Sequence, residues 1–167
     1  MGNGLIKKEI VMENERSAVL KVKKLDHFDS EFPMPSYETK WSAGADLRAC
    51  FEDKEPFHIA PGARVLIPTG LAFEIKPGYE VQVRPRSGLS LKTDLMVVNS
   101  PGTIDADYRG EVKIIMGNMG QAPITINHGD RVAQMVLAPI TQAVFEIVDE
   151  LSDTDRGEGG FGSTGKN

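Results

Sequence analysis

Apolar and polar residues alternate along much of this chain, in short runs separated by Pro and Gly. The alternation is clearest at Val19–Leu25 and Tyr79–Val83, and a period of two is typical of a strand that buries one face. Further strands are predicted at Val65–Ile75, with a break at Pro68–Gly70, and at the runs that follow in the chain: Ile124–Ile126, Arg131–Leu137 and Val144–Val148. A shorter strand, carrying Asp46, is predicted after the small residues Ser42–Ala45.

The segments between these strands are predicted to be loops, with one exception. Asp26–Tyr37 and Glu52–Gly62 are polar and each contains two prolines, which is typical of loops. Arg84–Lys92 departs from the alternation, and Ser87 is predicted to cap one short helix beginning near Gly88. Many short strands with little helix indicate an all-β barrel or jelly roll.

The stretch Asn99–Val112, with the sequence NSPGTIDADYRGEV, has the pattern of a β-hairpin. Thr103–Ile104 and Glu111–Met116 are its predicted strands, with turn residues between them. If Asp105–Tyr108 is the turn, its first and last residues lie within about 7 Å of each other. A carboxylate and a phenol would then share one small volume. An ordinary solvated turn is the alternative, because Asp is common in turns.

Composition indicates one globular domain that does not bind nucleic-acid polymers. The chain has 167 residues, of which 40% are apolar and 26% charged, and a net charge of -5. This length and balance are ordinary for a single soluble domain. Nucleic-acid binding needs a basic face, whereas a few local groups are enough to hold a small anion.

Several features predict a cytoplasmic protein without a membrane segment. Cys50 is the one cysteine, so neither an intrachain disulfide nor a thiolate metal cluster is expected. No apolar run approaches the roughly 20 residues that span a bilayer. Met1–Arg16 lacks the apolar core of a secretory signal and is expected to be a loose tail. His27, His58 and His128 have no metal-ligand spacing and are expected at the surface or in turns.

The C-terminal residues 152–167 are rich in glycine and poor in apolar residues, which predicts a disordered terminus. Gly160–Gly165 matches GxGxxG, and Gly160–Lys166 matches most of a P-loop, with Asn167 where Ser or Thr is required. Both mechanisms need a helix after the glycines, for which this sequence leaves no room, so neither is expected. Arg156 and Phe161 instead suit an arm that closes over an anionic, aromatic ligand.

Other residues point to a phosphorylated ligand. Arg86, Ser87 and Gly88 offer a guanidinium, a hydroxyl and backbone donors at a predicted helix start, which is a natural anion site. Asp46 and Asp105 are carboxylates that could recruit Mg²⁺, directly or through its waters. Each has a simpler alternative: Arg86 pairs with an acid, Ser87 only caps, and Asp46 ends a strand.

Together these features fall in five segments, and with them the chain resembles the trimeric dUTP nucleotidohydrolases, or dUTPases. The resemblance runs from about Leu20 to the C-terminus and leaves Met1–Arg16 outside. Five motifs in the right order, with the glycine-rich one last, form a specific signal. The segments are AGADLRA at Ala43–Ala49, RPRSGLS at Arg84–Ser90, NSPGTIDADYRGE at Asn99–Glu111, GDRVAQMV at Gly129–Val136 and RGEGGFGSTG at Arg156–Gly165.

The resemblance implies a distorted jelly-roll β-barrel with one short helix, assembled as a homotrimer with sites at subunit interfaces. It divides the chain into an N-terminal tail at 1–16, a β-barrel domain at 17–151 and a flexible arm at 152–167 that closes over the site. The implied reaction is Mg²⁺-dependent hydrolysis of dUTP to dUMP and pyrophosphate. It lowers dUTP and supplies dUMP for thymidylate synthesis.

The resemblance also implies roles for individual residues. Asp105 would be the general base for the attacking water, and Tyr108 would pack under the deoxyribose and exclude a 2′-hydroxyl. Asp46 would act on Mg²⁺ through water, with the metal held mainly by phosphate oxygens. The other implied substrate-binding residues are Arg86, Ser87, Gly88 and Gln134 at the phosphates and water; Asn99, Thr103, Ile104 and Lys113 near uracil; Arg156 at the terminal phosphate; Phe161, stacked on uracil; and Gly162.

Two other functions are considered. One is deamination of dCTP by a related fold, although the complete glycine-rich arm and the IDADY turn favour the hydrolase. The other is a nucleotide-sensing regulatory module whose chemistry is incidental. Ammonia release from dCTP would indicate the first, and a biological effect that survives loss of turnover would indicate the second.

Overall fold

The computed structural model describes residues 18–160. Within this range the chain forms ten strands and one short helix, α1, which lies between β5 and β6. In chain order the elements are β1 Lys21–Lys24, β2 Ala45–Arg48, β3 Phe57–Ile59, β4 Arg64–Glu74, β5 Tyr79–Arg84, α1 Ser87–Lys92, β6 Leu95–Val97, β7 Gly102–Ile104, β8 Glu111–Asn118, β9 Ile124–Ile126 and β10 Arg131–Pro139. The all-β prediction is therefore confirmed, and no helix in the described range is long and apolar enough to cross a membrane.

Two four-stranded antiparallel sheets contribute to one hydrophobic core. The first has the order β1-β4-β8-β6, the second has the order β2-β10-β5-β7, and β3 pairs with β9 in a small third sheet. Leu47 and Val81 from the second sheet belong to the same fully buried cluster as Ile67 and Ile114 from the first. The apolar faces of both sheets are thus removed from water together, which is the arrangement expected of packed sheet layers.

The centre of β4 carries an irregularity at the place where the sequence predicted a break. The strand is continuous, but its pairing with β8 shifts register between Pro68 and Ala72. Pro68 has no N–H to donate to a ladder, and Gly70 adopts a left-handed φ of 67° that favours glycine. The prediction is right about the location and wrong about a complete interruption.

The strand predicted at the N-terminal end is present, but its burial differs from the prediction. All four residues of β1 are exposed, whereas alternation predicted one buried face. In the described chain β1 pairs with β4 alone, so it is an edge strand. Lysines are common on edge strands because they discourage pairing with other chains.

Three element predictions are wrong. β3 lies inside the stretch 52–62 that was predicted to be a loop, because its three residues gain a partner strand in β9. β6 was not predicted, although β9, which also has three residues, was predicted at its observed bounds. Val144–Val148 was predicted as a strand, but this segment is irregular and extends away from the core, with no partner strand in residues 18–160.

The predicted hairpin at 99–116 is also wrong in its pairing. β7 pairs with β5, and β8 pairs with β4 and β6, so the two strands belong to different sheets. The predicted turn is present, because the Tyr108 N–H donates to the Asp105 carbonyl at 3.2 Å. The turn therefore connects the two layers and does not close a two-stranded ribbon.

Candidate active site

Asp46 is the centre of a charged cluster on the second sheet. β10 lies between β2 and β5, with Gln134 opposite both Asp46 and Arg84. The Asp46 Oδ1 accepts from Arg86 Nε at 2.7 Å, and its Oδ2 accepts from Arg131 Nη1 at 2.9 Å. Two guanidinium groups therefore converge on one carboxylate beside the start of α1. This cluster of Asp46, Arg86, Arg131 and Gln134 is called the guanidinium cluster below.

Gln134 is fixed in this cluster by its neighbours. Its Nε2 donates to the Pro85 carbonyl at 2.9 Å. A Cβ at residue 44 would collide with the Gln134 side chain, so Gly44 is the residue that lets Gln134 take this place. The small residues before Asp46 thus have a packing reason, since they allow close approach of a polar side chain.

Ser87 and Gly88 lie at the start of α1 beside this cluster, and both are exposed. The prediction that Ser87 caps the helix is wrong: Arg86 occupies the N-cap and no side chain makes a capping hydrogen bond. The helix begins at Ser87, one residue before the predicted start. The Leu89 and Ser90 N–H groups donate to the Arg86 carbonyl, whereas the first N–H groups of a helix, here those of Ser87 and Gly88, have no partner within it.

A second group of predicted site residues surrounds the Asp105–Tyr108 turn. They line a cleft of about 270 Å³ between the turn and the outer face of β8, called the turn cleft below. Its sequence-predicted residues are Asn99, Thr103, Ile104, Asp105, Tyr108 and Lys113, and Leu66, Glu111 and Ile115 complete the lining. Carboxylate, amide, ammonium and phenol groups therefore face one partly apolar space, which suits a small polar ligand.

The turn is held rigid by its own side chains. Arg109 Nη1 donates to the carbonyls of Ala106 at 2.7 Å and Tyr108 at 2.9 Å. The Tyr108 hydroxyl donates to the Glu111 carbonyl at 3.1 Å. A larger cleft of about 690 Å³, lined by Asp107, Arg109 and Ile140 among others, lies on the other side of Asp105.

The turn cleft and the guanidinium cluster lie at opposite ends of β5 within one chain. Ile104 pairs with Val81, and Asp105 follows at that end, whereas Arg86 follows Arg84 at the other end. Since a strand advances about 3.3 Å per residue, roughly 15 Å separates the two groups along the strand direction. The structure thus assembles two partial sites and does not bring Asp105 and Arg86 together in one chain.

The arm residues stand apart from both groups. Arg156 is exposed, and its Nε donates to the Gly159 carbonyl at 2.7 Å in a local turn. Phe161 and Gly162 lie outside the described residues. The predicted closure of the arm over the site therefore stays a prediction.

Residues 18–160 contain no cluster of three or more His, Cys, Asp or Glu side chains that could hold a metal ion on their own. At the guanidinium cluster both oxygens of Asp46 are bound to arginines, and the exposed Glu38 carboxylate lies 3.9 Å from Arg131 Nη1. Mg²⁺ commonly keeps several waters and binds one carboxylate together with substrate phosphates. The donor set fits that mode and does not fit an all-protein metal cage.

Two residues of these sites were missed from the sequence. Arg131 lies in the GDRVAQMV segment and shares Asp46 with Arg86, but nothing in its spacing shows that β10 is next to β2. Glu111 ends the NSPGTIDADYRGE segment, and its carboxylate is largely buried under the turn cleft. Burial raises the pKa of Glu111, but hydrogen bonds from the Gly70 N–H and His27 outweigh it and lower the pKa overall.

The comparisons with known proteins agree with this geometry. The dUTPase family model matches residues 30–165. The deoxyuridine 5′-triphosphate nucleotidohydrolase of Roseobacter denitrificans is 59% identical over 146 residues, which cover 87% of this chain and 95% of the relative. The protein of the same name from Maricaulis maris is 55% identical, with the same two coverages.

Solved structures lead to the same group of proteins. The dUTPase of Staphylococcus bacteriophage 80alpha with dUpNHpp has a TM-score of 0.75 and 29% identity, covering 90% of this chain and 100% of that one. A variant dUTPase from phage phi11 of S. aureus, described with a structural Mg(II) ion, has a TM-score of 0.70 and 26% identity, covering 81% and 100%. The β-fold and the similarity to named nucleotidohydrolases together place the protein among nucleotide-processing enzymes. The chain belongs to the dUTPase family, and the prediction that it is an enzyme is confirmed.

Proposed function

We propose that the protein hydrolyses dUTP to dUMP and pyrophosphate. The observation that carries this proposal is the turn cleft, where Asp105 and Tyr108 lie with Asn99 and Lys113 around about 270 Å³. The name of the relatives, deoxyuridine 5′-triphosphate nucleotidohydrolase, supplies the substrate. In the cell the reaction would lower dUTP and supply dUMP for thymidylate synthesis, and we propose that it takes place in the cytoplasm.

The complete site is proposed to form between copies of the chain in a homotrimer. Asp105 and Arg86 lie at opposite ends of β5, so one chain cannot place both on one triphosphate in this conformation. The irregular segment 144–151 supports assembly, since Val144 and Ile147 are 97% and 98% exposed. Apolar side chains this exposed are a common sign of an interface.

In the assembled site Asp105 is proposed to act as the general base. Its carboxylate would accept a proton from the attacking water, a role that typically contributes about 10²–10⁴-fold. Tyr108 would form the wall under the deoxyribose. The Thr103–Asp105 backbone and Asn99 would pair with the uracil edge. Cytosine would leave these groups unpaired once the ligand covers them.

The phosphates are proposed to bind at the guanidinium cluster of another copy. Arg86, Ser87 and Gly88 would contact them, and Gln134 would hold the water. Positive charge placed in advance near the triphosphate favours the transition state more than the ground state, because negative charge moves toward the leaving group. From the C-terminal segment at 152–167, Arg156 would bind the terminal phosphate, Phe161 would stack on uracil, and Gly162 would contact the substrate.

Mg²⁺ is proposed as the cofactor, held by phosphate oxygens and by Asp46 through water. When bound, it would neutralise charge on the triphosphate. For the carboxylate to face a hydrated cation, the pairs of Asp46 with Arg86 and Arg131 would have to loosen. Both arginines would then be available to the phosphates.

The test combines a substrate panel with a mass measurement. Purified full-length protein with Mg²⁺ is given dUTP, dCTP, dTTP and UTP, and pyrophosphate and ammonia are followed. We expect pyrophosphate from dUTP alone, with a solution mass of three chains. Ammonia from dCTP would point to a deaminase, equal turnover of UTP would contradict the role of Tyr108, and an active monomer would contradict the shared site.

A further inference from the structure

We propose that Glu111 is a positioning residue that fixes the Tyr108 wall of the turn cleft, and through it the preference for a 2′-deoxyribose over a ribose. This inference rests on the proposed function. Glu111 would not touch the substrate. Its main-chain carbonyl would fix the position of Tyr108, and its carboxylate would fix the position of Lys113.

The Glu111 carboxylate is bound by three different parts of the chain. Its Oε1 accepts from the Gly70 N–H at 2.8 Å and lies 2.9 Å from His27 Nε2. Its Oε2 lies 3.4 Å from Lys113 Nζ. The side chain is only 12% exposed, so these contacts are poorly replaced by water. Hydrogen bonds to a partly buried charged group are among the stronger ones in proteins.

Gly70 is itself firmly placed. It lies at the register shift of β4 with a left-handed φ, which turns its N–H toward Glu111. Its carbonyl accepts from the Leu25 N–H at 2.9 Å, and a Cβ at this residue would lie 3.0 Å from the Phe28 backbone. The irregularity in β4 therefore provides a rigid donor for one carboxylate.

The Tyr108 ring depends on the main chain that Glu111 anchors. Its hydroxyl donates to the Glu111 carbonyl at 3.1 Å, and a Cβ at Gly110 would collide with that hydroxyl. The Tyr108 ring is thus held between Gly110, which has no side chain, and the main-chain carbonyl of Glu111. The side-chain carboxylate of Glu111 fixes that carbonyl in place. A shift of residues 110–111 would move the ring.

Lys113 is restrained by the same carboxylate. Its side chain is about half exposed and lines the turn cleft. Without a partner a lysine ammonium would sample many rotamers, including ones that enter the cleft. The ion pair with Glu111 limits that range and leaves the space beside Tyr108 open.

The consequence concerns selectivity and substrate affinity more than the chemical step. A ring that can move leaves room for a 2′-hydroxyl, so discrimination should fall while the base Asp105 stays in place. A residue that only stabilises the fold would lower the melting temperature and leave the ratio between the two substrates unchanged. The two roles can therefore be separated.

The experiment measures kcat and KM for dUTP and UTP in the full-length protein with Mg²⁺. For Glu111→Ala we expect the KM for dUTP to rise about tenfold, kcat to stay within about threefold, and the dUTP-to-UTP ratio of kcat/KM to fall about tenfold. Glu111→Gln keeps an acceptor for the Gly70 N–H but loses the charge that holds Lys113, so its ratio should lie between those of Glu111→Ala and wild type. Glu74→Gln, which breaks the exposed pair with Lys21 on the same sheet, is the matched control and should change nothing.

Gly110→Ala provides an independent test, because it displaces the Tyr108 hydroxyl without touching the carboxylate, and it should lower the ratio similarly. If Glu111→Ala fails to fold, Glu111→Asp, whose carboxylate is one methylene shorter, decides the question. If wild type hydrolyses dUTP normally and a folded Glu111→Ala or Glu111→Asp variant keeps the wild-type dUTP-to-UTP ratio of kcat/KM, this inference is overturned. The proposed function would then still stand. A wild-type protein that does not hydrolyse dUTP would overturn the proposed function and the inference with it.

Discussion

At the scale of single residues, some side chains of the candidate site can be identified from the sequence, and others are revealed only by packing. Asp105 and Tyr108 lie in a turn that the sequence places correctly, because their spacing within four residues decides their proximity. Glu111 is different, because its role depends on the Gly70 N–H, which a register shift in another strand supplies. No local pattern carries that information.

Replacing Asp105 by Asn tests the proposed base. The amide keeps the shape of the side chain but cannot accept a proton from water, so turnover of dUTP should fall by about 10²–10⁴-fold while substrate binding is retained. Asp107→Asn is the control, since Asp107 lies in the same exposed turn but lines the cleft on the other side. Steady-state kinetics and dUTP binding measured by calorimetry give both quantities. Full activity in Asp105→Asn would contradict the assignment.

At the scale of elements, alternation and apolar runs predicted the long strands, whereas the pairing between strands was not predicted correctly. The strands β4, β5, β8 and β10 have six or more residues each, and all four were predicted. β3 and β6 were not predicted and pair with β9 and β8, whereas β9, which is equally short, was predicted. The hairpin prediction failed because strands that are neighbours in sequence usually pair, whereas β7 pairs with β5 and β8 pairs with β4 and β6.

Loops are also joined by polar contacts that sequence did not show. Asp29 is nearly buried, and its carboxylate binds Lys54 Nζ at 2.6 Å and His128 Nε2 at 3.0 Å. The Phe51 N–H donates to His128 Nδ1, which leaves Nε2 to carry the proton toward Asp29. His128 lies in a turn, as expected, and it also joins three loops around one carboxylate.

The stability of this junction should depend on pH. The Lys54 ammonium, the Glu31 N–H and His128 hold the pKa of Asp29 well below its usual range. As pH falls, the unfolded chain therefore takes up this proton first. The stabilisation is fully present above the unfolded-state pKa of about 3.9 and is lost as pH falls toward the lowered folded-state pKa.

Asp29→Asn should accordingly have a lower melting temperature than wild type above about pH 5, with a difference that shrinks below about pH 4. Thermal melts followed by circular dichroism across this range provide the measurement. Asp53→Asn removes a carboxylate from an exposed turn nearby and should follow the wild-type curve. A difference that stays constant down to pH 3 would show that the ionised carboxylate is not the cause.

At the scale of the whole molecule, the fold of one chain leaves two things incomplete. The predicted catalytic turn and the predicted phosphate site are separated along β5, and the segment after β10 carries apolar side chains with no partner in the described chain. Val144, Phe145 and Ile147 are all more than nine-tenths exposed. The strand predicted at 144–148 is absent, and these apolar side chains contact no partner strand in residues 18–160.

The proposed homotrimer would account for both observations, and the double substitution Val144→Ser, Ile147→Ser tests it. Each side chain buried at an interface contributes about 1.5–3 kcal/mol, and the loss recurs at every interface of a trimer. We therefore expect the variant to keep its circular dichroism spectrum but to dissociate on dilution to smaller species, with dUTP turnover falling in parallel. Light scattering over a concentration series gives the mass, and Met119→Ser, an exposed apolar residue in a separate turn, is the control.

A double variant that keeps the wild-type mass at every concentration would mean that this segment does not hold the assembly together. A variant that dissociates fully and keeps its turnover would mean that the site is complete within one chain.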